Sequence, residues 1–391
     1  MIKKVKFVLT AILAILMIAV ISSAIFINSF AAKVSEVDTS LAKSARAATL
    51  MDFDTGTIVF EKNSTDRYPI ASMVKIMTLL LIFEQIENGD LSINHDIVVS
   101  ENAASMGGSQ AFLDANTAYK AGELIKSIIV ASANDSCVAL AEHICGTVDS
   151  FVEMMNKKAS ELSMQNTNFV NCTGLPAPNG YSCAKDVATM LRNLIKFDMF
   201  FYYAKVWLYD FQHPNGRTTT LTNTNKLIKA YKGCDGGKTG FTQEAQYCLA
   251  ATAKRGDTRL ISVAMGLKEP KVRNFEVSNL FNYGFGNYET RQFVCKDIPL
   301  QEMQVKRGKT ELLQIAPLND YFYFSAKTNK QKIESQVVLE DVTAPIEKRQ
   351  VVGKLILKTG EQVLIEIPLI ALIDIDEKSY IDFLNSVVKE W

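Results

Sequence analysis

Residues 69–87 of this chain are apolar on almost every side when they are placed on a helix. A helix without a polar face is buried, so other elements must surround it. Asn88-Gly89 follows directly and is a common stop for a helix. The chain has 391 residues, of which 48% are hydrophobic, and it can therefore supply both a large core and more than one domain.

Strand-like and helical segments alternate on both sides of this buried helix. Residues 47–52 and 57–60 are predicted to form a hairpin, and residues 247–254 and 259–266 form two further strands. This pattern predicts an α/β fold, in which an antiparallel sheet is flanked by helices and carries a helical insertion in the middle of the chain. The other predicted helices cover residues 122–146 with a break at 132–134, and residues 148–162, 186–208 and 274–285.

The pattern changes after about residue 290, where short alternating strands dominate. These strands predict a small all-β domain over residues 291–376, which follows a larger α/β domain over residues 47–290. Residues 377–391 are predicted to form an amphipathic helix, which could lie on a membrane or pack on its own domain. The predicted strands of the β domain cover residues 311–315, 321–325, 335–339, 353–357 and 362–367.

The amino terminus is typical of an export signal. Lys3, Lys4 and Lys6 precede an uncharged apolar run over residues 7–30, and small residues at Ser29 and Ala31 suit a signal peptidase. We predict a signal peptide over residues 1–31 and a linker over residues 32–46. The run is long, so an uncleaved membrane anchor is the alternative. In both cases the bulk of the chain lies outside the cytoplasm.

Charge and cysteine content exclude several classes of function. Lys plus Arg and Asp plus Glu are both 42, so there is no basic field that would hold nucleic acid. The seven cysteines include no CxxC pair, and their apolar surroundings predict free thiols. The sequence contains no HExxH, so a zinc peptidase is not indicated, and we expect neither a metal nor a cofactor.

Ser72 and Lys75 lie three residues apart at the start of the buried helix. Both side chains therefore share one helix face. Burial lowers the pKa of a lysine, and a neutral amine can act as a base that activates a serine hydroxyl. For an isolated pair, the alternative is a capping serine and a solvated lysine. The apolar surroundings of Lys75 argue against that alternative.

Ser132 and Asn134 lie where the second helical segment is interrupted. Serine and asparagine side chains compete for backbone hydrogen bonds, so this sequence is poor helix material. One interpretation is a cap for the helix that starts near Asp135. The other is a proton relay through Ser132 and an anchor for a substrate amide at Asn134.

A Lys-Thr-Gly sequence at residues 238–240 precedes a predicted strand and follows Gly236-Gly237. The spacing of these glycines does not fit a phosphate-binding loop, and no helix follows. A glycine beside a strand permits close approach of a ligand backbone, and a cation with a hydroxyl can hold a carboxylate.

The three motifs in this order resemble the D-alanyl-D-alanine carboxypeptidases among the low-molecular-mass penicillin-binding proteins. Their sequence context is similar as well, and the likeness extends from about Ala47 to the carboxyl terminus. The matching segments are residues 69–78 (PIASMVKIMT), 132–142 (SANDSCVALAE), 173–176 (TGLP), 223–226 (NTNK) and 235–242 (DGGKTGFT).

The resemblance implies a fold and a reaction. The fold would be that of penicillin-binding proteins and β-lactamases. Ser72 would be acylated by the peptide carbonyl with loss of D-Ala, and Lys75 would be the base. Ser132 and Lys238 would pass a proton to the leaving amine. Water would then hydrolyse the acyl-enzyme, and β-lactams would acylate Ser72 in the same way.

The resemblance also implies how the substrate, a peptidoglycan stem peptide, is held. Backbone N–H groups of Ser72 and Phe241 would form the oxyanion hole, and Thr239 and Arg273 would hold the terminal carboxylate. The implied catalytic residues are Ser72, Lys75 and Ser132, and the implied substrate-binding residues are Asn134, Lys238, Thr239, Gly240, Phe241 and Arg273.

Some positions depart from the family pattern. The segment after Gly-Leu-Pro lacks the histidine that the family often has, and Gly237 replaces a bulkier apolar residue. The sequence Ala245-Gln246-Tyr247 replaces the commoner Ala-Gly-Tyr. Two alternatives remain open. A β-lactamase would need a glutamate that holds the deacylating water, but no Glu-x-x-x-Asn lies between Ser132 and Lys238. A catalytically silent cell-wall binding protein would be expected to lose at least one motif.

Overall fold

The computed structural model describes residues 41–382. Their amino-terminal part is built on an antiparallel sheet of five strands in the order β2-β1-β9-β8-β7. Four of these strands are predicted, but the Lys-Thr-Gly sequence at residues 238–240, which was expected to precede a strand, lies inside the unpredicted strand β7. Two short hairpins, β3–β4 and β5–β6, lie outside this sheet. The strands are β1 (Ala47–Asp52), β2 (Ile58–Lys62), β3 (Asp96–Val98), β4 (Ala118–Lys120), β5 (Leu208–Gln212), β6 (Thr218–Thr222), β7 (Cys234–Thr242), β8 (Gln246–Arg255) and β9 (Thr258–Leu267).

Helices cover the sheet and form the central insertion, and a 3₁₀ turn over Ala71–Val74 leads into the first of them. They are α1 (Lys75–Glu87), α2 (Glu101–Ala104), α3 (Ala121–Ala131), α4 (Asn134–Cys145), α5 (Val148–Glu161), α6 (Ala184–Leu194), α7 (Asp198–Ala204), α8 (Leu227–Ala230) and α9 (Pro270–Asn287).

Helix α1 is the centre of the main hydrophobic core, as its apolar sequence predicts. Every residue from Lys75 to Phe83 is buried, and the helix packs against α4, α5 and α6. Apolar side chains on all sides of α1 thus leave water together, which stabilises the domain in proportion to the area buried. The predicted start at Pro69 is wrong, because regular α-helix begins at Lys75.

The single helix expected over residues 186–208 is also wrong. The chain forms α6 and α7 with Phe197 in extended conformation between them, and the ring of Phe197 stacks on Phe83 of α1. Leu208 already belongs to β5, which pairs with β6. The aromatic residues of this segment suit a strand as well as a helix, and the non-local pairing with the Thr-rich β6 decides between them.

The carboxyl-terminal part is all-β and contains the five predicted strands. Four of them join β11 in a sheet of order β11-β12-β16-β15-β14, while β13 pairs with β10. Strands β10 and β11 were not predicted, and residue 290, where the α/β domain was expected to end, lies inside β10. The strands are β10 (Tyr288–Val294), β11 (Gln301–Gln304), β12 (Leu312–Pro317), β13 (Tyr321–Ala326), β14 (Glu334–Leu339), β15 (Val351–Thr359) and β16 (Gln362–Ala371).

Strand β10 is fastened to the main sheet by buried polar contacts. The Thr290 hydroxyl donates to Asp52 Oδ1 at 2.7 Å, and the Thr290 backbone N–H donates to the Thr258 hydroxyl at 2.8 Å. Burial raises the pKa of Asp52, while the hydrogen bonds from Thr55 and Thr290 oppose this rise. The carboxylate therefore needs its hydroxyl partners in order to remain charged.

Several predictions about the termini concern residues beyond the described range. The signal peptide over residues 1–31 and most of the linker over 32–46 lie outside it. The expected helix over residues 377–391 is described only to Asp382 and is helical from Tyr380. No helix between residues 41 and 382 is long and apolar enough to cross a bilayer.

Replacing Thr290 by Val should lower the free energy of unfolding by about 1–3 kcal/mol, because the buried Asp52 carboxylate loses a donor. The variant raises the folded-state pKa of Asp52 further above its unfolded value, so the loss should be larger at pH 7.5 than at pH 5. Denaturant unfolding at both pH values measures this. The exposed Thr328→Val is the matched control, and equal losses at both pH values would contradict the role of Asp52.

Candidate active site

Ser72 and Lys75 lie on the turn that leads into the buried helix. The turn begins with a left-handed residue, Ala71, at φ 48°. Gly174 makes this possible, because a Cβ on that glycine would lie 2.0 Å from the Ala71 carbonyl oxygen. Gly240 of β7 approaches from another direction, where a Cβ would lie 2.6 Å from the Ile70 carbonyl oxygen. Two glycines thus allow backbone segments to close around the serine.

The Lys75 amine is buried and has three oxygen atoms around it. Its Nζ lies 3.1 Å from Ser72 Oγ, 2.6 Å from Asn134 Oδ1 and 2.5 Å from the Thr173 carbonyl oxygen. Burial lowers the pKa of Lys75 from its usual value. Lys75 thus joins the first two motifs through a direct hydrogen bond to Asn134.

Asn134 is fixed in one orientation by its other contacts. Its side-chain Nδ2 donates to the Gly107 carbonyl at 2.6 Å, so its Oδ1 must face Lys75. The neighbouring Asp135 carboxylate accepts backbone N–H groups of Ala111 and Leu113 at 3.0–3.1 Å. The loop that contains Gly107 is thus held against the amino terminus of α4.

Lys238 and Arg273 bring two further basic side chains to the pocket. Lys238 is buried, and burial together with the charge of Lys75 lowers its pKa well below the usual value. Its Nζ donates to the Thr239 carbonyl at 3.0 Å. Burial also lowers the pKa of Arg273 to about 10, which leaves it charged at neutral pH. Because like charges repel, protonation of one of the two lysines disfavours protonation of the other.

Ser132 occupies a strained position between α3 and α4. Its backbone is left-handed, with φ 68°, and its side chain is 3% exposed. Its hydroxyl has no hydrogen-bond partner within the described part of the chain. A buried hydroxyl without a partner costs stability.

Thr239 and Phe241 complete the part of β7 that faces the site. The Thr239 hydroxyl donates to the Thr224 hydroxyl at 2.8 Å. Phe241 is exposed, and its ring stacks on Tyr247 with centroids 4.2 Å apart. Gln246, at the family's usual glycine position, adopts a left-handed backbone with φ 58°, which explains why glycine is preferred there.

A shallow cleft of about 40 Å³ lies beside the Ser72 turn. Ala71 and Val74 form one wall, and the segment over residues 168–181 forms another. Leu175 and Tyr181 give the cleft apolar surface, and Glu244 is a charged residue in its lining. The cleft adjoins the Ser72 turn, although none of the predicted catalytic and substrate-binding residues lines it.

The cysteines are unpaired, as their surroundings predict, and most of them are buried. Cys137 lies on α4, and both Lys75 and Lys238 lower its pKa, although burial raises it to about 12. It is therefore a neutral thiol in the pocket. No cluster of three or more His, Cys, Asp or Glu residues that could hold a metal ion occurs among residues 41–382.

Sequence reasoning missed two partners of the predicted residues. The Thr173 carbonyl contacts Lys75, but every residue has a backbone carbonyl, so the sequence does not indicate which of them contacts a side chain. Gly107 is the other, and it lies in a loop that carried no motif. The segments that contain Thr173 and Thr224 could be found only through the family resemblance.

Replacing Ser132 by Gly should raise the free energy of unfolding by about 1 kcal/mol, because it removes an unpartnered hydroxyl and suits the left-handed backbone. Ser136→Ala is the contrasting variant. It removes a hydroxyl 2.7 Å from that of Ser127 and should cost about 1 kcal/mol. Thermal unfolding of both variants measures these effects, and a destabilised Ser132→Gly would show that this hydroxyl has a partner.

Two family models match the chain. The model described as D-alanyl-D-alanine carboxypeptidase matches residues 32–269, and the model of the penicillin-binding protein 5 carboxyl-terminal domain matches residues 288–377. Among curated proteins, the D-alanyl-D-alanine carboxypeptidase DacF of Bacillus subtilis is 37% identical. The match spans 93% of this chain and 94% of DacF. DacA of Haemophilus influenzae is 32% identical over 87% of this chain and 88% of its own.

Solved structures show the same relationship. Penicillin-binding protein 5 of Haemophilus influenzae superimposes with a TM-score of 0.69 at 31% identity, covering 85% of this chain and 98% of its own. PBP3 of Streptococcus pneumoniae gives a TM-score of 0.69 at 27% identity and covers 85% of this chain and 99% of its own. The predicted fold class is confirmed, and the chain belongs to the D-alanyl-D-alanine carboxypeptidase family.

Proposed function

We propose that this chain is a serine-type D-Ala-D-Ala carboxypeptidase, which trims the pentapeptide stems of peptidoglycan through an acyl-enzyme on Ser72. The observation that supports it most directly is the set of oxygen atoms around the Lys75 amine. The Asn134 Oδ1 and the Thr173 carbonyl oxygen can only accept hydrogen bonds. A neutral amine has two protons, which these two acceptors use, and its lone pair then faces the Ser72 hydroxyl.

This arrangement supports general-base activation of Ser72. The Ser72 oxygen attacks the carbonyl carbon of the penultimate D-Ala while its proton moves to Lys75. Backbone N–H groups of Ser72 and Phe241 stabilise the oxyanion. A proton then reaches the leaving amine through Ser132 and Lys238, the C–N bond breaks and D-Ala departs. Water hydrolyses the resulting ester and restores Ser72.

Carboxylate recognition explains why the enzyme acts at a chain end. Arg273 is a buried cation, and neither it nor the buried Lys238 forms an ion pair with another residue of the described chain. Buried cations without a counter-ion favour an anionic ligand. We propose that Thr239 and Arg273 bind the carboxylate, while Asn134 and the backbone around Gly240 hold the peptide amides.

The same site suits β-lactams, which carry an amide carbonyl beside a carboxylate. A β-lactamase is the alternative with similar motifs, and it requires rapid deacylation. The sequence between Ser132 and Lys238 offers no Glu-x-x-x-Asn element that would hold the water. We therefore propose a slowly recovering acyl-enzyme with penicillin.

The chain ends support a location at the cell wall. We propose that residues 1–31 direct export and that the helix beginning near Tyr380 binds the outer face of the cytoplasmic membrane. Residues 47–287 would form the catalytic domain, and residues 288–376 the β domain that separates it from the membrane, because β10 pairs only within the second part.

Replacing Ser72 by Ala should abolish covalent labelling by a fluorescent penicillin and lower D-Ala release from a pentapeptide by roughly a thousandfold or more, because the nucleophile is lost. Mass spectrometry of the labelled wild-type protein should place the adduct on Ser72. Ser105→Ala, which changes an exposed serine, is the control and should label normally. Full labelling of Ser72→Ala would refute the mechanism.

Replacing Lys238 by Met should move the acid limb of the pH profile for penicillin acylation to higher pH by about half a unit to one unit. Acylation requires a neutral Lys75. The charge of Lys75 lowers the pKa of Lys238, and because such coupling is reciprocal, removing Lys238 should raise the pKa of Lys75. The residual acylation rate of the full chain, measured by stopped flow across pH, tests this.

Lys254→Met is the matched control, because this lysine is exposed on the neighbouring strand β8. It removes the same charge and should leave the acid limb in place. An unchanged limb in Lys238→Met would mean that the two amines do not share the pocket electrostatically.

A further inference from the structure

The segment over residues 223–225 is held rigidly beside the start of β7. The Asn223 side chain donates to the Ala204 carbonyl at 3.1 Å, and the Asn225 side chain donates to the Gly236 carbonyl at 3.2 Å. Both asparagines are buried. Because their amide groups are used to fix the backbone, the residue between them is presented in a defined place.

That residue, Thr224, connects two of the motif-bearing elements. Its backbone N–H donates to the Val130 carbonyl at 3.1 Å, two residues before Ser132. Its hydroxyl accepts the hydrogen bond of Thr239 at 2.8 Å. The Thr224 side chain is half-buried, whereas Thr239 is only 8% exposed. The proposed carboxylate-binding hydroxyl therefore has its partner on a rigid segment.

Hydrogen-bond counting shows what must change when substrate binds. A threonine hydroxyl has one proton and two lone pairs. If Thr239 gives its proton to a carboxylate, it can no longer donate to Thr224. Thr224 can then reverse the bond and donate its own proton to Thr239. This reversal keeps the Thr239 oxygen satisfied and aims its proton away from Thr224, toward the carboxylate.

We propose that Thr224 is a positioning residue that orients the Thr239 hydroxyl toward the terminal carboxylate of the substrate. This rests on the proposed carboxypeptidase function. The carboxylate belongs to the D-Ala that leaves, so it is absent from the acyl-enzyme. Thr224 therefore assists acylation by substrates that have a carboxylate, and it does not affect hydrolysis of the acyl-enzyme.

Two substrates with the same acyl group separate these steps. One is an acyl-D-Ala-D-Ala peptide, and the other is the phenyl ester of the same acyl-D-Ala, whose leaving group has no carboxylate. In the full chain, Thr224→Val should lower kcat/KM for the peptide about tenfold, in line with the loss of one hydrogen bond to a group that binds a charge. The ester should change less than about twofold, and Thr224→Ser should restore the peptide rate.

Thr222→Val is the matched control, since Thr222 is exposed at the end of β6 in the same stretch of chain. It should leave both rates unchanged. Thermal unfolding checks that Thr224→Val is folded, and Thr224→Ala replaces it if the valine does not fit.

Three outcomes would overturn the proposal. Equal losses on both substrates would mean that the variant displaces the segment, and unchanged rates on both would mean that Thr239 needs no partner. A wild-type chain that hydrolyses the ester but not the peptide would reject the carboxypeptidase function itself, and carboxylate positioning with it. That failure is distinct, because it appears before any substitution is made.

Discussion

The site depends on keeping one amine uncharged in the middle of a hydrophobic core. Lys75 lies on a helix that is buried on all sides, and its amine has only Ser72, Asn134 and Thr173 oxygens within hydrogen-bond reach among the contacts described. Burial disfavours the ammonium form, and the two obligate acceptors leave a lone pair for the serine proton. The same burial that stabilises the helix thus turns a lysine into a base.

Building this environment requires chain segments that are distant in sequence to pack closely together. Two residues of the site adopt unfavourable backbone conformations. Ala71 and Ser132 are both left-handed, although neither is glycine. Such conformations cost about 1 kcal/mol or more each, and they persist only where the surrounding packing enforces them. Here Gly174 fits against Ala71, and the end of α3 holds Ser132. Two left-handed residues thus belong to the site, Ala71 next to Ser72 and Ser132 in the second motif.

The sequence predicted four of the five strands of the main sheet, the buried helix and the three motifs, because each is encoded locally by hydrophobic period or by residue type. It missed β7, whose glycine-rich sequence is not typical of a strand. It did not predict that residues 186–208 would split into α6, α7 and β5, since this outcome depends on pairing with β6. Nor could it show that a carbonyl oxygen of Thr173 contacts Lys75. Side-chain chemistry can be predicted from residue types, whereas a backbone contact depends on the tertiary fold and not on the identity of the residue.

The electrostatics of the pocket affect both Lys75 as the base and the preference for substrates that end in a carboxylate. Lys75, Lys238 and Arg273 lie in one buried region, and no carboxylate of residues 41–382 forms an ion pair with any of them. Burial lowers the pKa of Lys75 and, together with the charge of Lys75, that of Lys238, while Arg273 remains a cation without an ion-pair partner in this part of the chain. A substrate that ends in a carboxylate supplies the missing charge beside the bond to be cleaved. An internal peptide bond does not, so the electrostatics that create the base also favour cleavage at a free carboxyl end.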